Sequence, residues 1–198
     1  MGIPKASLPF GPESMLERVV RLLGQVADPI VVVAASQQAL PDLPASVRVA
    51  HDQQEDKGPL EGIRAGLAVL KDQADAAFVV SCDVPLLEPA LVRHMATELE
   101  QNDVAVAVDG DFHHPLTAVY RMNVLGHIVE LVSEDQLRPV YIYDRVPTKR
   151  IPIEELRDVD PDLQSFANLN RPQDYVAALE TAGLTPDEET LRRLGLRK

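Results

Sequence analysis

The 198-residue sequence has one cysteine, no tryptophan and only 4% aromatic residues. A single thiol excludes an internal disulfide and a zinc site built from several cysteines. Cations are also scarce: 19 Lys and Arg stand against 31 Asp and Glu, for a net charge of -12. A nucleic-acid surface needs a basic footprint and often stacking aromatics, so no nucleic-acid partner is expected. An anionic ligand must instead find a local cationic pocket. Neither a long apolar span nor a leader pattern precedes the first helix, so the expected setting is the cytoplasm, with no membrane partner.

What is present suits one α/β domain. Hydrophobic residues make up 45% of the chain, enough for a full core at this length. The stretch 78–89, FVVSCDVPLLEP, is its reference point. Residues 78–81 form a short apolar run without alternation, the pattern of a strand buried on both faces. Cys82 and Asp83 follow, and Pro85 and Pro89 then stop the sheet and prepare a helix over 90–100. Ligands of open α/β sheets sit at the strands' carboxyl ends. A carboxylate there suits a hard cation such as Mg²⁺, with phosphates and water completing its shell. The alternative reading is that Asp83 merely caps the following helix or turn. Cys82 reads as a small buried hydrophobe, since nothing in sequence supplies an activating histidine.

The other elements follow in order. Residues 1–11 carry no period and read as a loop holding Lys5, which either reaches a phosphate or stays solvated. A helix is expected over 14–25 with Ser14 as cap, then a buried strand at 29–34 and a further strand at 47–50, the latter ending in His51 and Asp52. Gly58 and Gly62 open a helix running to about Leu70, permitting close backbone approach to a ligand or forming a plain turn. A strand at 104–108 turns through Asp109, Gly110 and Asp111 into an antiparallel partner at 116–120. His113 and His114 precede that partner and point to opposite faces, a poor chelating pair. Arg145, Lys149 and Arg150 form the main basic cluster, which either holds a phosphorylated substrate or lies in a solvated loop. In SFANLNRP, residues 165–172, Asn168 and Asn170 share one side of an extended segment, orienting a ligand or closing a turn. A helix over 173–182 precedes a charged tail, 183–198, read as loosely attached.

Several of these motifs fall in a familiar order: K-x-x-L-P-F-G from Lys5, H-D at His51 and Asp52, G-P-L-E-G from Gly58, S-C-D-V-P from Ser81, H-P at His114, and F-A-N-L-N-x-P from Phe166. Together they resemble the nucleotidyltransferase family of the molybdenum cofactor guanylyltransferases, over residues 1–182. The resemblance implies a three-layer α/β/α sandwich with a mostly parallel, Rossmann-like sheet. It also implies Mg²⁺, the substrates GTP and molybdenum-loaded molybdopterin, and partners among molybdenum-insertion proteins and molybdoenzymes. By the same resemblance Lys5 contacts nucleotide phosphates, Asp52 binds the nucleotide, and Asp83 binds nucleotide and metal. Gly58 belongs to the nucleotide-binding turn, and Asn168 and Asn170 are the asparagine pair near the active site. The implied activity transfers GMP from GTP to molybdopterin. A cytidylyl or sugar-phosphate nucleotidyltransferase of the same fold is the alternative, and a non-catalytic domain is a third reading.

The sequence departs from the family in two places. Ala34, Ala35 and Ser36 stand where similar proteins carry a nucleotide-contacting asparagine. Similar proteins also open with an apolar strand and a glycine-rich phosphate loop, of which Met1 and Gly2 look like the last two residues. The resemblance therefore implies that the first strand is missing and that the native product extends about twenty residues upstream.

Overall fold

A computed structural model describes residues 4–51 and 58–197 of the chain. Lys5–Ser7 form a single 3₁₀ turn, followed by a small hairpin of β1 (Pro9–Phe10) and β2 (Glu13–Ser14). Gly11 makes its bend with a φ of 71°, a left-handed conformation open to glycine without strain. The bare loop expected here is thus partly structured. Its two-residue strands are too short to show a period, yet they bury Leu8 and Phe10.

Helix α1 (Met15–Leu23) starts as its sequence dictates. Ser14 accepts from the Glu17 backbone N–H, and the Glu17 carboxylate accepts from the Ser14 N–H, a reciprocal capping box. Strands β3 (Val31–Ala34) and β4 (Arg48–His51) pair in parallel, Val31 opposite Arg48 and Ala34 opposite His51. Helix α2 (Gly58–Leu70) carries the chain back to β5 (Ala76–Val80), and α3 (Pro89–Glu98) follows with proline in its first turn. Next come β6 (Val104–Asp109), β7 (Phe112–Arg121), α4 (Leu125–Ser133) and the edge strand β8 (Thr148–Pro152). Helices α5 (Pro172–Thr181) and α6 (Glu188–Arg193) complete the order.

The larger sheet runs β5-β7-β6-β8. Strand β7 is antiparallel to both neighbours, while β6 and β8 are parallel. One face packs Val104, Val106, Ala118 and Tyr120 against α2 and α4; the other packs Ala105, Ala107 and Val119 against α3. The expected mostly parallel sheet is thus mixed, with β7 opposing β5, β6 and β8, and helices on both its faces give a three-layer α/β/α architecture. At about 25 cal/mol per Å² of apolar area, each fully buried large side chain contributes roughly 1.5 to 3 kcal/mol.

Two further expectations need correction. The strand at 78–81 is expected to be buried on both faces and that at 29–34 to be buried, but β5 is only half-buried throughout and β3 alternates between half-buried and buried. The cause is topological: among the described residues β3 pairs only with β4 and β5 only with β7, and no ladder joins β3 to β5. The tail, expected to be loose, is docked. Leu194 of α6 joins Leu8, Phe10, Met15, Leu169 and Tyr175 in one buried cluster. Among the described residues, no helix is long and apolar enough to cross a membrane.

Candidate active site

The chain leaves β5 at Val80 and reaches Asp83 at the sheet's carboxyl edge, where backbone groups freed from the ladder can meet a ligand. Asp83 is 9% exposed. Its Oδ2 accepts from Lys5 Nζ at 2.7 Å, and Asn170 Oδ1 accepts from the same ammonium at 2.7 Å. The described residues therefore take two of the three lysine donors. Asp83 Oδ1 is buried and has no hydrogen-bond partner among the described residues. A buried carboxylate oxygen left unpaired costs about 1 to 3 kcal/mol, more when charged, so it marks a place for a positive ligand. A hard divalent cation fits this donor, since Mg²⁺ takes one or two carboxylates and leaves the rest of its shell to phosphate and water.

Three segments hold this arrangement. Leu169 N–H donates to the Asp83 carbonyl at 3.0 Å, fastening the asparagine segment across the strand end. Ser165 Oγ accepts from the Glu88 N–H at 2.9 Å, tying the same segment to the end of the Asp83 loop. Both carboxylate oxygens of buried Asp160 accept backbone N–H groups, from Gln164 and Ser165, each at 2.9 Å. On the other side, Arg18 Nε donates to the Pro85 carbonyl at 2.6 Å, and its guanidinium lies 4.9 Å from the Phe10 ring centre. Sequence reasoning missed Asp160, Ser165 and Arg18. An Asp before a turn, as in V-D-P-D, is the one available signal, because such a side chain bonds to backbone a few residues on.

The other expected residues are distributed differently. Asn168 is exposed on the same side as Asn170, with Leu169 buried between them. Gly58, at a φ of 67°, lines a second cleft of about 460 Å³ with Phe112, His113, Arg138 and Tyr143. Asp52 lies outside the described residues, as do Met1 and Gly2. The basic cluster does not converge on a phosphate site. Arg145 binds Glu130 and Glu134, Lys149 binds Glu98 and Glu100, and Arg150 donates to His113. In a chain this acidic, each of these three cations, two of them in β8, finds a carboxylate or imidazole nearby.

The histidines diverge as their alternation requires. His113 stacks on Tyr143 at 5.0 Å, while His114 meets the rings of Phe112 and Phe166 edge-on at 4.8 and 5.0 Å. Burial pulls the His114 pKa below its ordinary value of 6.5, with nearby Asp109 opposing, so the ring is held neutral. Cys82 shifts the opposite way. Burial first, and the neighbouring Asp83 charge second, push its thiol pKa up, which suppresses the thiolate a nucleophile would need. Among the described residues, no group of three or more His, Cys, Asp or Glu is placed to hold a metal by itself. Any metal here would share its shell with substrate.

A helix-flanked sheet with a paired acid and lysine at its carboxyl edge is an α/β protein whose candidate site lies where such sheets bind ligands. Residues 1–147 match the family described as the MobA-like NTP transferase domain. The chain belongs to that family and is a nucleotidyltransferase. It is 35% identical over 183 residues to the "Probable molybdenum cofactor guanylyltransferase" of Mycobacterium avium, covering 89% of this chain and 87% of that one. Its fold is similar to that of molybdopterin-guanine dinucleotide biosynthesis protein A from Archaeoglobus fulgidus, with a TM-score of 0.75, 21% identity and 92% of each chain covered. The Rv0371C protein of Mycobacterium tuberculosis H37Rv, solved in complex with manganese, matches with a TM-score of 0.59, 17% identity and coverage of 90% and 93%.

Proposed function

We propose that this protein transfers GMP from GTP to the terminal phosphate of molybdenum-loaded molybdopterin, forming the guanine dinucleotide and releasing pyrophosphate. The observation that carries the reading is Asp83, whose Oδ2 holds Lys5 while its buried Oδ1 has no described partner. The names of the relatives supply the base and the acceptor.

In this reaction an acceptor phosphate oxygen attacks the α-phosphorus of GTP. The new P–O bond forms as the bond to the β-phosphate bridging oxygen breaks, and both electrons leave with pyrophosphate. The attacking oxygen is already anionic, so no serine, cysteine or general base is required, in keeping with a raised Cys82 pKa. The protein contributes position and charge neutralisation. Lys5 adds a fixed cation beside the phosphates, and Asn170 keeps its ammonium aimed at the site. Asp83 would hold Mg²⁺; when bound, that ion offsets charge growing on the departing pyrophosphate. Asp52, Gly58 and Asn168 complete the proposed nucleotide contacts.

The test is direct. Purified protein is incubated with Mg²⁺, molybdenum-loaded molybdopterin and GTP, CTP or UTP in turn, and the dinucleotide and pyrophosphate are measured. Product from GTP alone is expected. Product chiefly from CTP would replace the guanylyl assignment with a cytidylyl one, and no dinucleotide with any of the three would reject the acceptor.

A further inference from the structure

Beside the Lys5 turn lies a buried cluster that distant parts of the chain share: Leu8, Phe10 and Met15, then Leu169 and Tyr175, then Leu194 of α6. Leu184 and Leu196, also from the tail, pack against it. The cluster reaches the site at two points. Leu8 donates its N–H to the Lys5 carbonyl at 3.1 Å, and the Leu8 carbonyl accepts from the Met15 N–H at 2.9 Å. The buried Leu8 side chain thereby anchors the turn that carries Lys5. Leu169 lies between Asn168 and Asn170, and Asn170 holds the Lys5 ammonium.

Two helix stops return the tail to this cluster. After α5, Gly183 adopts a φ of 69° and the Leu184 N–H donates to the Leu179 carbonyl at 2.8 Å. After α6, Gly195 adopts a φ of 73° and the Leu196 N–H donates to the Leu191 carbonyl at 2.9 Å. Each is a left-handed glycine stop, which folds the following residue back against its helix. That residue is leucine both times. Between the stops, Asp187 Oδ1 accepts from the Thr190 N–H at 2.8 Å and starts α6. So short a helix has too few internal bonds to stand alone, and α6 persists by docking. The fit is close, since a methyl group built on Gly11 would lie 3.0 Å from both Leu184 Cδ atoms. From α5, the Tyr175 hydroxyl donates to the Pro9 carbonyl at 2.6 Å and holds the same hairpin.

We propose that the tail, residues 184–196, is a positioning element of the site: by packing Leu184, Leu194 and Leu196 into the cluster of Leu8, Phe10 and Leu169, it fixes the Lys5 ammonium against Asp83. The inference rests on the reading that Lys5 binds the phosphates of GTP. No tail residue touches substrate in this scheme, and the whole effect passes through Lys5. A lysine head on a flexible four-carbon stem is aimed by the backbone that carries it. When the hairpin shifts, Nζ cannot keep its 2.7 Å bonds to both Asp83 and Asn170.

Two variants loosen the tail. Leu194→Ala trims a buried side chain, while Asp187→Ala removes the α6 cap from an exposed position and leaves every cluster side chain in place. Each should raise the KM for GTP by at least about fivefold with kcat within about twofold of the parent, and Leu194→Met should restore the parent KM. In a Lys5→Met background the same changes should alter KM by less than about 1.5-fold, because the interaction they act through is already gone. Equal factors in both backgrounds would overturn the proposal. Amide hydrogen exchange reads the link without turnover. In Asp187→Ala the Leu8 and Leu169 amides should exchange at least about tenfold faster, with the β6–β7 ladder at the parent rate. Unchanged Leu8 and Leu169 amides, or uniform acceleration across the chain, would overturn the proposal. A parent without GTP turnover would reject the functional reading alone, and the exchange rates would still decide this one.

Discussion

Leu169 donates its backbone N–H to the carbonyl of Asp83, 3.0 Å away, and this one bond sets the register of the asparagine segment against the metal-binding candidate. With Leu169 turned into the core, its neighbours Asn168 and Asn170 face outward, and Asn170 reaches Lys5. Replacing Asn170 with Ala should leave the fold intact, because that side chain is exposed. It should reduce kcat/KM for GTP by about tenfold through loss of one charge-assisted hydrogen bond to the lysine. Steady-state pyrophosphate release measures the effect, and unchanged kinetics would remove Asn170 from the site.

Asp83→Asn keeps the side-chain shape and removes the charge. The Lys5 ion pair it breaks is partly exposed at the lysine end, so the stability change should stay within about 1 kcal/mol. Turnover should fall by at least about a hundredfold, the scale seen when a charge-stabilising group is removed from a reacting centre. Thermal melting and turnover measured on the same preparation separate the two effects. Lys5→Met should show a milder loss, concentrated in the KM for GTP.

Asp160 supports the site without touching it. Asp160→Ala strands the Gln164 and Ser165 N–H groups, at about 1 to 3 kcal/mol for each that stays buried. Urea unfolding should register a loss of about 2 to 4 kcal/mol, and the KM for GTP should rise as the asparagine segment loosens. Stability equal to that of the parent would show that these bonds are replaced by water.

Cys82 stands next to Asp83, yet burial and the Asp83 charge both disfavour its thiolate. Cys82→Ala should therefore retain turnover within about threefold, and the parent thiol should react with alkylating reagents more slowly than an ordinary free cysteine at neutral pH. Loss of turnover in Cys82→Ala with an unchanged melting curve would reopen a chemical role.

The sequence made most elements legible where a period or a cap announced them. Ser14 read as a cap and is one; the helix begun at Gly58 runs to Leu70 as expected; the β6 and β7 hairpin turns at Gly110. It was misleading where solvent access depends on distant pairing. The residues of β3 and β5 are apolar enough for full burial, but nothing local says that, among the described residues, each has a ladder on one side only. The site divides the same way. Lys5, Asp83 and Asn170 came from motif order, and the structure brings these three together across 165 residues of chain. Asp160, Ser165 and Arg18 act through backbone carbonyl and N–H groups, whose positions leave little trace in residue type. The basic cluster failed because charge proximity in sequence ignores the carboxylates that folding brings alongside.

His114 gives the enzyme a pH dependence whose sign is fixed by burial. Its Nε2 is buried without a described partner, and the folded pKa lies below 6.5 because burial disfavours the imidazolium more than Asp109 favours it. The unfolded chain thus binds a proton at a pH where the folded chain does not, and stability rises with pH across that interval. It is fully present above the unfolded value and is lost as pH falls through 6.5 toward the folded value. The melting temperature should therefore drop between about pH 7 and about pH 5.5. Replacing His114 with Phe, which keeps an aromatic ring between Phe112 and Phe166, should flatten that slope. Glu13, whose pKa is lowered chiefly by its bond to Arg21, loses its contribution only near and below 4.5, so the comparison stays clear of it. Parallel slopes in the parent and the Phe variant would assign the dependence to another group.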